Sequence, residues 1–508
     1  MLQVRNVTII QKKDEHVLVE NLSFVLNDGE KAALIGEEGN GKSTLLKWIV
    51  NPSLVEPYAD VSGEKTGSNV IGYLAQELVG PEAGTPIYEW LERNCSFPER
   101  SPKAVSRVAK ELGIPTELLL ESRPLGTLSG GERIKVQLAA LLLKECDLLL
   151  LDEPSNDLDL DTIEWLEGFL GRTEKSVLFV SHDETLIERT ADFLIHIELV
   201  RRKTIPRVTV SRLPYRTYIG NRERAFRHQA QVSEFEHAAY QKKKDRYLSV
   251  YQAVEHAQNT ISRADPAGGR LLKKKMHSVQ SLGKRLEKEA SELTEQPEAE
   301  WAILPKFEEG VFVKNGKTVL DLHLSDLTAD GRVLASNLKL RVIGPEHICI
   351  IGKNGCGKST LLKEIARQLL PRTDLSVGYM PQNYEDLLDP SLSPIAYLAP
   401  DGEKSAVTKA RIYLGSMKYT AEEAEHPMRQ LSGGQRAKIL LLKLILDRNN
   451  VLILDEPTRN FSPLSAPAVR TLLRSFRGAI IAVSHDRKYL EEVASTVYRM
   501  DQSGLVRI

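Results

Sequence analysis

The chain of 508 residues has few cysteines and no long apolar segment. Its four cysteines, Cys95, Cys146, Cys349 and Cys356, share no CxxC or other metal-like spacing, so we expect reduced thiols. The richest apolar run, Leu148–Leu151, is far shorter than the ~18 residues of a membrane helix. The N-terminus lacks the basic and then apolar layout of a signal peptide. We therefore expect a cytoplasmic protein without a membrane domain.

Charge is unevenly distributed along the chain, although the formal net charge is only −1. Between Arg201 and Pro297, 21 Lys and Arg oppose 10 Asp and Glu, a balance of +11 that leaves −12 for the rest. A basic segment of this kind indicates contact with a polyanion. A solvated helical face is the alternative, and charge alone does not decide between them.

An internal repeat predicts the architecture. Glycine-rich loops of the form G-x-x-x-x-G-K-S occur at Gly36–Ser43 and Gly352–Ser359, each between a β-like and a helix-like run. The same series follows each loop: a glutamine after a strand, an LSGG motif, an apolar run ending in Asp-Glu-Pro, and a strand ending in Ser-His-Asp. From the glutamine onward, corresponding positions lie 303 to 306 residues apart. We predict an α/β fold with two P-loop nucleotide-binding domains.

The residue types in this series predict phosphoryl transfer to water. The loop glycines let backbone N–H groups face phosphate oxygens, and Lys42 and Lys358 would reach the β- and γ-phosphates. A carboxylate beside the strand-end aspartate could accept the proton of water, and a histidine could hydrogen-bond the γ-phosphate. The predicted catalytic residues are Glu153, Glu456, His182 and His485. The predicted Mg²⁺-site residues are Ser43, Gln76, Asp152, Ser359, Gln382 and Asp455.

The ordered series resembles the ATP-binding cassette (ABC) superfamily, with both nucleotide-binding domains on one chain, over about 400 residues. The resemblance implies a monomer whose cassettes pair head to tail. Each ATP then lies between the Walker A loop of one cassette and the LSGG motif of the other. Site one would combine Gly36–Thr44 with Ser432–Gly434, and site two would combine Gly352–Thr360 with Ser129–Gly131. The implied ATP-binding residues are Gly36, Gly39, Asn40, Gly41, Lys42, Ser43, Thr44, Gln76, Ser129, Gly130, Gly131, Gly352, Asn354, Gly355, Cys356, Gly357, Lys358, Ser359, Thr360, Gln382, Ser432, Gly433 and Gly434.

Several residues depart from the family pattern. Glu37 and Glu38 stand in the first Walker A loop, where carboxylates would repel phosphate unless they point to solvent. After the second Asp-Glu-Pro, Phe461 and Ser462 replace the usual Leu-Asp. We therefore expect the two sites to differ. Neither half has an aromatic residue at the place where the family stacks adenine.

The middle of the chain has helical periodicity. No proline or glycine occurs from about Asn221 to Ser262, the motif RADPAGGR at 263–270 predicts a break, and Pro297 follows a second helical stretch. We predict an antiparallel helical hairpin at 219–300 between cassettes at 1–218 and 301–508. The apolar stripe positions are Val232, Phe235, Ala239, Tyr247, Val250, Val254, Ala257 and Ile261 in the first helix, and Leu272, Met276, Val279, Leu286, Ala290 and Leu293 in the second, with Gly283 interrupting.

Two cassettes joined by a charged helical linker resemble the ABC-F family of ATPases that act on the ribosome. The linker length, its tip and the stretch PTRNFSPLS resemble the antibiotic-resistance branch of the Lsa, Vga and Msr types. This resemblance implies ATP and Mg²⁺ as cofactors and the 70S ribosome, its large-subunit rRNA and the P-site tRNA as partners. The hairpin would enter the tRNA exit site and displace drugs near the peptidyl-transferase centre. The candidate RNA contacts are Lys242, Lys243, Lys244, Arg246, Arg263, Arg270, Lys273, Lys274 and Lys275.

Three alternatives remain open. A housekeeping ABC-F translation factor would share every motif. The ATPase subunit of a transporter would need a membrane partner and would not normally hold a basic hairpin between its cassettes. A coiled-coil DNA-repair ATPase would place its coil inside one head, between Walker A and LSGG.

Overall fold

The computed structural model describes residues 1–67, 70–76, 80–200, 204–261, 266–295, 306–329, 331–384 and 387–508. The chain divides into a compact unit of Met1–Tyr215 with Glu300–Ile508, which contains both cassettes, and a helical unit of Arg216–Ala299. The predicted domain boundaries at 218/219 and 300/301 stay predictions.

The strands of the first cassette form two sheets. They are β1 (Leu2–Gln11), β2 (Val17–Leu26), β3 (Lys31–Ile35), β4 (Ala59–Gly67), β5 (Ile71–Leu74), β6 (Leu148–Asp152), β7 (Ser176–Val180), β8 (Phe193–Val200) and β9 (Ile205–Ser211). An antiparallel sheet has the order β2-β1-β4, and a six-stranded sheet has the order β5-β6-β7-β3-β8-β9. All neighbouring strands of the larger sheet are parallel except the pair β8–β9, which is antiparallel.

Helices of the first cassette connect and cover these strands. They are α1 (Lys42–Val50), α2 (Gly80–Ala83), α3 (Ile87–Cys95), α4 (Pro102–Leu112), α5 (Gly130–Leu143), α6 (Leu160–Arg172) and α7 (Glu184–Thr190). The LSGG motif lies at the N-terminus of α5, and the Asp-Glu-Pro motif begins at the last residue of β6. Both motifs therefore lie at the ends of secondary-structure elements.

The second cassette repeats this plan after the helical unit, whose two helices are α8 (Tyr215–Thr260) and α9 (Pro266–Glu292). Its strands are β10 (Thr318–Ala329), β11 (Arg332–Ile343), β12 (His347–Gly352), β13 (Val377–Met380), β14 (Val451–Asp455), β15 (Ala479–Val483), β16 (Thr496–Asp501) and β17 (Gly504–Arg507). Its helices are α10 (Lys358–Leu369), α11 (Pro394–Leu398), α12 (Lys404–Ser416), α13 (Ala421–Glu425), α14 (Gly433–Leu446), α15 (Ala466–Arg474) and α16 (Arg487–Glu492). Its six-stranded sheet has the order β13-β14-β15-β12-β16-β17, beside the antiparallel pair β10-β11.

Central parallel strands explain why the motifs meet. Every residue of β6, β7, β14 and β15 is buried, as expected for strands covered on both faces. Asp152 pairs with Val180, and Asp455 pairs with Val483, so neighbouring strands end at the same edge. The Walker A loops leave β3 and β12 at this edge as well. In an open parallel sheet, ligands bind at this carboxyl edge.

The α8–α9 hairpin is antiparallel, as predicted. Near one end Ser233 Oγ donates a hydrogen bond to the carbonyl of Thr294, and farther along Val254 is buried with Met276 and Val279. At about 1.5 Å per residue, the 46 residues of α8 extend about 70 Å. The predicted fold class, two P-loop ATPase domains joined by a long helical hairpin, is confirmed.

Details of the hairpin differ from the prediction. The first helix begins at Tyr215, before the predicted start of the hairpin at 219, and Phe235 is 77% exposed, so it is not part of the packed stripe. Pro266 starts α9 and does not interrupt a helix, since proline is tolerated in a first turn. Gly283 lies within α9, where a Cβ would lie 2.7 Å from the hydroxyl of Tyr247. The glycine is therefore a close-packing position.

The small hairpin core makes Val254 important for local stability. We expect Val254→Ala to cost ~1–3 kcal/mol because a 3% exposed side chain would leave a cavity between the helices. Amide hydrogen exchange of residues 272–290 in the full chain should then accelerate roughly 10- to 100-fold. Val250→Ala is the matched control one turn away, since Val250 is 38% exposed. Equal exchange in both variants would contradict this packing.

Candidate ATP-binding sites between the cassettes

Both Walker A loops curl around their own lysine. Lys42 Nζ donates hydrogen bonds to the carbonyls of Gly36 and Glu37, both at 2.9 Å. Lys358 Nζ donates to the carbonyls of Gly352 and Lys353 at 2.8 and 2.9 Å. These ammonium groups are positioned inside loops suited to phosphate.

Glycine is required where each loop starts. Gly36 has a φ of 148°, and a Cβ there would lie 2.1 Å from the carbonyl oxygen of Ile197. That carbonyl also accepts a hydrogen bond from Asn40 Nδ2 at 3.0 Å, which fixes the loop against β8. Gly352 is equally constrained, with 2.5 Å to the carbonyl oxygen of Met500.

The aspartate of each Asp-Glu pair, Asp152 or Asp455, has a neighbouring hydroxyl group that suits a Mg²⁺ site. Ser43 Oγ donates to Asp152 Oδ1 at 3.1 Å, and Tyr73 Oη donates to Asp152 Oδ2 at 3.3 Å. Burial raises the pKa of Asp152, and the hydrogen bond from Ser43 partly offsets this. Asp455 has the same relationship with Ser359, and burial raises its pKa too. Hydroxyl and carboxylate oxygens are the ligands that Mg²⁺ prefers, so both sets fit it.

The glutamates that follow have an unusual backbone. Glu153 has a φ of 50°, and Glu456 has a φ of 51°, both in the left-handed region. Non-glycine residues are uncommon there, and such strain concentrates at functional sites. In each cassette the glutamate N–H donates to the last residue of the neighbouring strand, Val180 or Val483. The turn thereby aims each carboxylate along the sheet edge.

The carboxylate of Glu153 is fully engaged in site one. Its Oε1 lies 2.9 Å from His182 Nε2, and its Oε2 accepts hydrogen bonds from Gln76 at 3.1 Å and from Asn156. Burial would raise the pKa of Glu153, but His182 outweighs it and holds that pKa at about 2. His182 Nδ1 lies 3.0 Å from the carbonyl oxygen of Phe461 in the other cassette. Glu153 and His182 therefore hydrogen-bond to residues of their own cassette and to the backbone of the other cassette.

In site two, the corresponding residues Glu456 and His485 are not hydrogen-bonded to each other through their side chains. Glu456 Oε1 and both ring nitrogens of His485 are buried without a hydrogen-bond partner in the described part of the chain. Burial raises the pKa of Glu456 to about 8, and burial together with Lys358 lowers the pKa of His485 to about 4. His485 Nε2 lies 3.9 Å from Glu456 Oε1, too far for a hydrogen bond.

A cavity of about 810 Å³ contains this second pair. The second cassette contributes the Walker A loop and the sequence-predicted Gln382, Asp455, Glu456 and His485. The first cassette contributes Ser129, Gly130 and His182. The structure therefore brings predicted residues of both cassettes to one cavity, in the head-to-tail sense that the family resemblance implies. Gly131 does not line the cavity. A Cβ added to it would instead lie 2.8 Å from the hydroxyl of Thr162.

Some lining residues were missed by motif reasoning. They are Glu132, Arg133, Asn156, Asp157, Leu334 and Arg459. Arg459 pairs with Asp157 at 2.8 Å, across the cassettes. Both residues lie within four positions of Glu153 or Glu456 in the sequence. Their closeness to these motifs is the feature of the sequence that could have identified them as site residues. The described residues lining this cavity include no Phe, Tyr or Trp, in agreement with the missing adenine-stacking aromatic.

The LSGG serines cap the helices behind them. Ser129 Oγ accepts from the Glu132 N–H at 3.2 Å, and the Glu132 carboxylate accepts from the Ser129 N–H at 3.0 Å. Ser432 and Gln435 form the same capping box at α14. This arrangement directs both helix N-termini, with their positive dipole ends, toward the opposing Walker A loops.

Site one contains two carboxylates that the family pattern does not predict. Glu37 accepts hydrogen bonds from Ser462 Oγ at 2.8 Å and from Ser465 Oγ, and pairs with Lys438 at 3.2 Å. Burial alone would raise the pKa of Glu37, but Lys438 and the two serines hold it at about 2. Glu37 does not point to solvent, since its side chain is half-buried against the second cassette.

Glu38 also reaches the second cassette, although its residue is exposed overall. Its Oε2 accepts a hydrogen bond from the N–H of Gly434 in the LSGG motif. A cavity of about 250 Å³ at this contact is lined by Glu37, Glu38, Ser432 and Gly434 among others, and not by the Asp-Glu pair of site one. The two departures noted in the sequence, at 37–38 and at 461–462, thus meet at this interface.

An ion cluster joins the segments that follow the two histidines. Arg470, whose side chain is 3% exposed, pairs with Glu184 at 2.7 Å and with Glu492 at 3.1 Å. Lys488 also pairs with Glu184, at 2.8 Å. Arg487 pairs with Asp183 at 3.0 Å. Because the acids of the first cassette meet cations of the second, the cluster fixes the two histidine loops relative to each other.

The candidate RNA-contact residues lie on the hairpin. The exposed ones are Lys242, Lys243, Lys244, Arg246, Arg270, Lys273, Lys274 and Lys275. Lys243 is paired with Glu289 of α9. Arg263 and part of the predicted tip lie outside the described residues. The four cysteines are free thiols, buried or half-buried.

Comparison with known proteins identifies the class. Residues 19–156 and 335–459, together more than half of the chain, match the ABC transporter family. The chain therefore belongs to the ABC family of ATPases and hydrolyses ATP. Its relatives include proteins of the F sub-family.

These relatives match along nearly the whole chain. The probable ATP-binding protein YheS of Escherichia coli K12 is 28% identical, over 96% of this chain and 77% of that protein. ATP-binding cassette sub-family F member 3 of Homo sapiens is 28% identical, over 97% and 70%. ABC transporter F family member 2 of Arabidopsis thaliana is 27% identical, over 98% and 76%.

Solved structures share the fold. The archaeal ribosome recycling factor aABCE1, in complex with the ribosomal stalk protein aP1, has a TM-score of 0.57 at 17% identity, over 99% of this chain and 90% of that one. A model of ribosome-bound archaeal Pelota and ABCE1 has a TM-score of 0.56 at 17% identity, over 99% and 78%. Across the described part of this chain, none of the helices has the length and apolar character needed to cross a membrane.

The raised pKa of Glu456 predicts how activity depends on pH. A protonated carboxyl cannot accept a proton from water, so kcat/KM for ATP hydrolysis should rise with pH through an apparent pKa near 8. Between about pH 6.5 and about pH 8.5 we expect an increase of roughly tenfold or more. Steady-state phosphate release across this range measures it. Glu153→Gln serves as the comparison and should keep the same profile, whereas a flat profile for the wild type would contradict ionisation of Glu456.

Proposed function

We propose that this ABC-F ATPase binds the 70S ribosome and inserts its α8–α9 hairpin into the tRNA exit site. There the hairpin contacts the P-site tRNA and large-subunit rRNA, and its tip approaches the peptidyl-transferase centre and displaces bound antibiotics. The observation that carries the proposal is the long basic hairpin placed in sequence between two complete cassettes. Solved proteins of the same fold include a ribosome recycling factor, which supports a ribosomal partner.

Exposed lysines make the hairpin suitable for RNA. Lys242 and Lys244 on α8 and Lys273–Lys275 on α9 are exposed, and they can neutralise backbone phosphates. Contacts of this type recognise the shape of structured RNA more than its base sequence. The hairpin would thus act by its position, while the cassettes control when it is held there.

Control by the cassettes follows from the chemistry proposed for the sites. In site two, Ser359 and Asp455 would hold Mg²⁺, which neutralises phosphate charge when bound. Lys358 and the LSGG residues Ser129 and Gly130 would bind the phosphates from opposite cassettes. Glu456 would accept the proton of the attacking water, and His485 would donate a hydrogen bond to the γ-phosphate. ATP would therefore stabilise paired cassettes, and hydrolysis would release them.

Ribosome binding can be tested in a variant that cannot hydrolyse ATP. We expect Glu153→Gln combined with Glu456→Gln to co-sediment with 70S ribosomes in an ATP-dependent manner. In that background, changing Lys242 and Lys244 to Ala should weaken retention and lower the salt dependence of log K by about 2. Changing the exposed Lys103 and Lys110 of the first cassette to Ala removes equal charge and should have little effect. Absence of ATP-dependent retention would refute ribosome binding.

A housekeeping translation factor is the second candidate. It is favoured by the broad similarity of the chain to ABC-F proteins of bacteria, animals and plants. The ATPase subunit of a transporter is the third candidate, because such a subunit would not normally contain a basic hairpin between its cassettes.

Drug susceptibility separates the first two candidates. If the chain protects ribosomes, its expression in a susceptible strain should raise the inhibitory concentration of drugs that bind near the peptidyl-transferase centre. Replacing residues 263–270 by a short Gly-Ser linker should abolish protection but keep ribosome binding, because the lysines of both helices remain. Unchanged susceptibility with the wild-type chain would favour the housekeeping role.

A further inference from the structure

The two Walker A loops differ at three positions, and the first loop contacts the other cassette through the two that are adjacent. Glu37 and Glu38 in the first loop correspond to Lys353 and Asn354 in the second. Asn354 Nδ2 donates a hydrogen bond to the carbonyl of Asp157, and its N–H lies 3.3 Å from Asp159 Oδ2. Site two is thus joined across the cassettes by an amide side chain, whereas site one is joined by carboxylates.

Glu38 takes a backbone donor of the second LSGG motif. Its carboxylate accepts the N–H of Gly434, which lies in the first turn of α14 after the cap Ser432. A helix N-terminus attracts anions through its free N–H groups and its dipole. Gly434 is buried, and a Cβ placed on it would lie 2.9 Å from Glu38 Oε2. An incoming phosphate would meet both a donor already used and a negative charge of its own sign.

Glu37 keeps the first loop in this position. Its charge is balanced by Lys438 of α14, and its oxygens are satisfied by Ser462 and Ser465. Lys438 is 8% exposed, so breaking the contact would leave a buried ammonium without its partner. The contact joins the Walker A loop to the same helix whose N-terminus Glu38 occupies. The two glutamates therefore act together.

The catalytic-type residues show the same asymmetry independently. In site one, Glu153 and His182 hydrogen-bond to each other and to Gln76, Asn156 and the Phe461 carbonyl. In site two, Glu456 Oε1 and the His485 nitrogens are buried without partners among the described residues and line a cavity of about 810 Å³.

The geometry points to a paired state that takes one nucleoside triphosphate per chain, bound in site two, with the Glu38 carboxylate occupying the γ-phosphate position of site one. The inference rests on the role in phosphate binding that is proposed above for the LSGG residues. Site one is then a protein-closed half of the interface that neither requires nor hydrolyses ATP when the cassettes pair. Turnover belongs to Glu456 alone.

Nucleotide stoichiometry tests this inference. Equilibrium dialysis of the full chain with the non-hydrolysable analogue β,γ-imido-ATP and Mg²⁺ should show one bound nucleotide per wild-type chain. Glu38→Asn, which gives the first loop the residue of the second, should raise the number to two. The reciprocal Asn354→Glu should abolish binding. Glu20→Asn, an exposed glutamate of β2, controls for the lost charge and should leave one nucleotide bound.

Lysine variants identify which site is filled and separate this inference from the proposed function. Lys358→Ala should lose the bound analogue and reduce ATP hydrolysis about 100-fold or more, whereas the exposed control Lys103→Ala should retain both to within about threefold. Two nucleotides on the wild type, one of them lost with Lys358→Ala, would overturn the single-nucleotide state but leave the proposed roles in site two intact. One nucleotide that is kept with Lys358→Ala would overturn the inference and the site-two roles together.

Discussion

The contact of Glu37 and Glu38 with the second cassette organises the interface. It joins the first Walker A loop to the LSGG helix and to the loop after the second Asp-Glu-Pro motif, with Lys438 supplying the countercharge. Two carboxylates in a phosphate-binding loop would be unfavourable if they faced phosphate. Facing serine hydroxyls, an ammonium and a helix N-terminus, they are stabilised instead. The asymmetry of the two sites follows from this one exchange of phosphate for carboxylate.

The ion cluster around Arg470 adds a second constraint. A buried arginine costs free energy to desolvate, and its worth depends on complete pairing with Glu184 and Glu492. Its main consequence is geometric, because it fixes the loops that carry His182 and His485 relative to each other. A change in the position of one histidine loop can therefore alter the position of the other through this ion cluster.

Sequence reasoning was most successful where chemistry demands fixed residues at fixed spacing. The buried runs of β6 and β14 and the motifs at their ends predicted both cassettes, and the stripe through Val254 and Met276 predicted the hairpin. It was less successful where one position faces a distant one. Glu37 and Ser462 are far apart in the chain, and each looked like a separate departure until the fold brought them together. Periodicity also placed Phe235 in a packed stripe, yet this residue is 77% exposed.

Reciprocal contact between the halves limits how this chain can evolve. The first Walker A loop contacts loops of the opposite cassette as well as its own, so substitutions at Glu37 and at Ser462 or Ser465 are expected to change together. Recombination that exchanges one cassette for that of a relative would separate these partners and leave a carboxylate without its hydroxyls. Gene fusion keeps the two halves inherited together, and that linkage is what allows one of two originally equivalent sites to become a permanent joint.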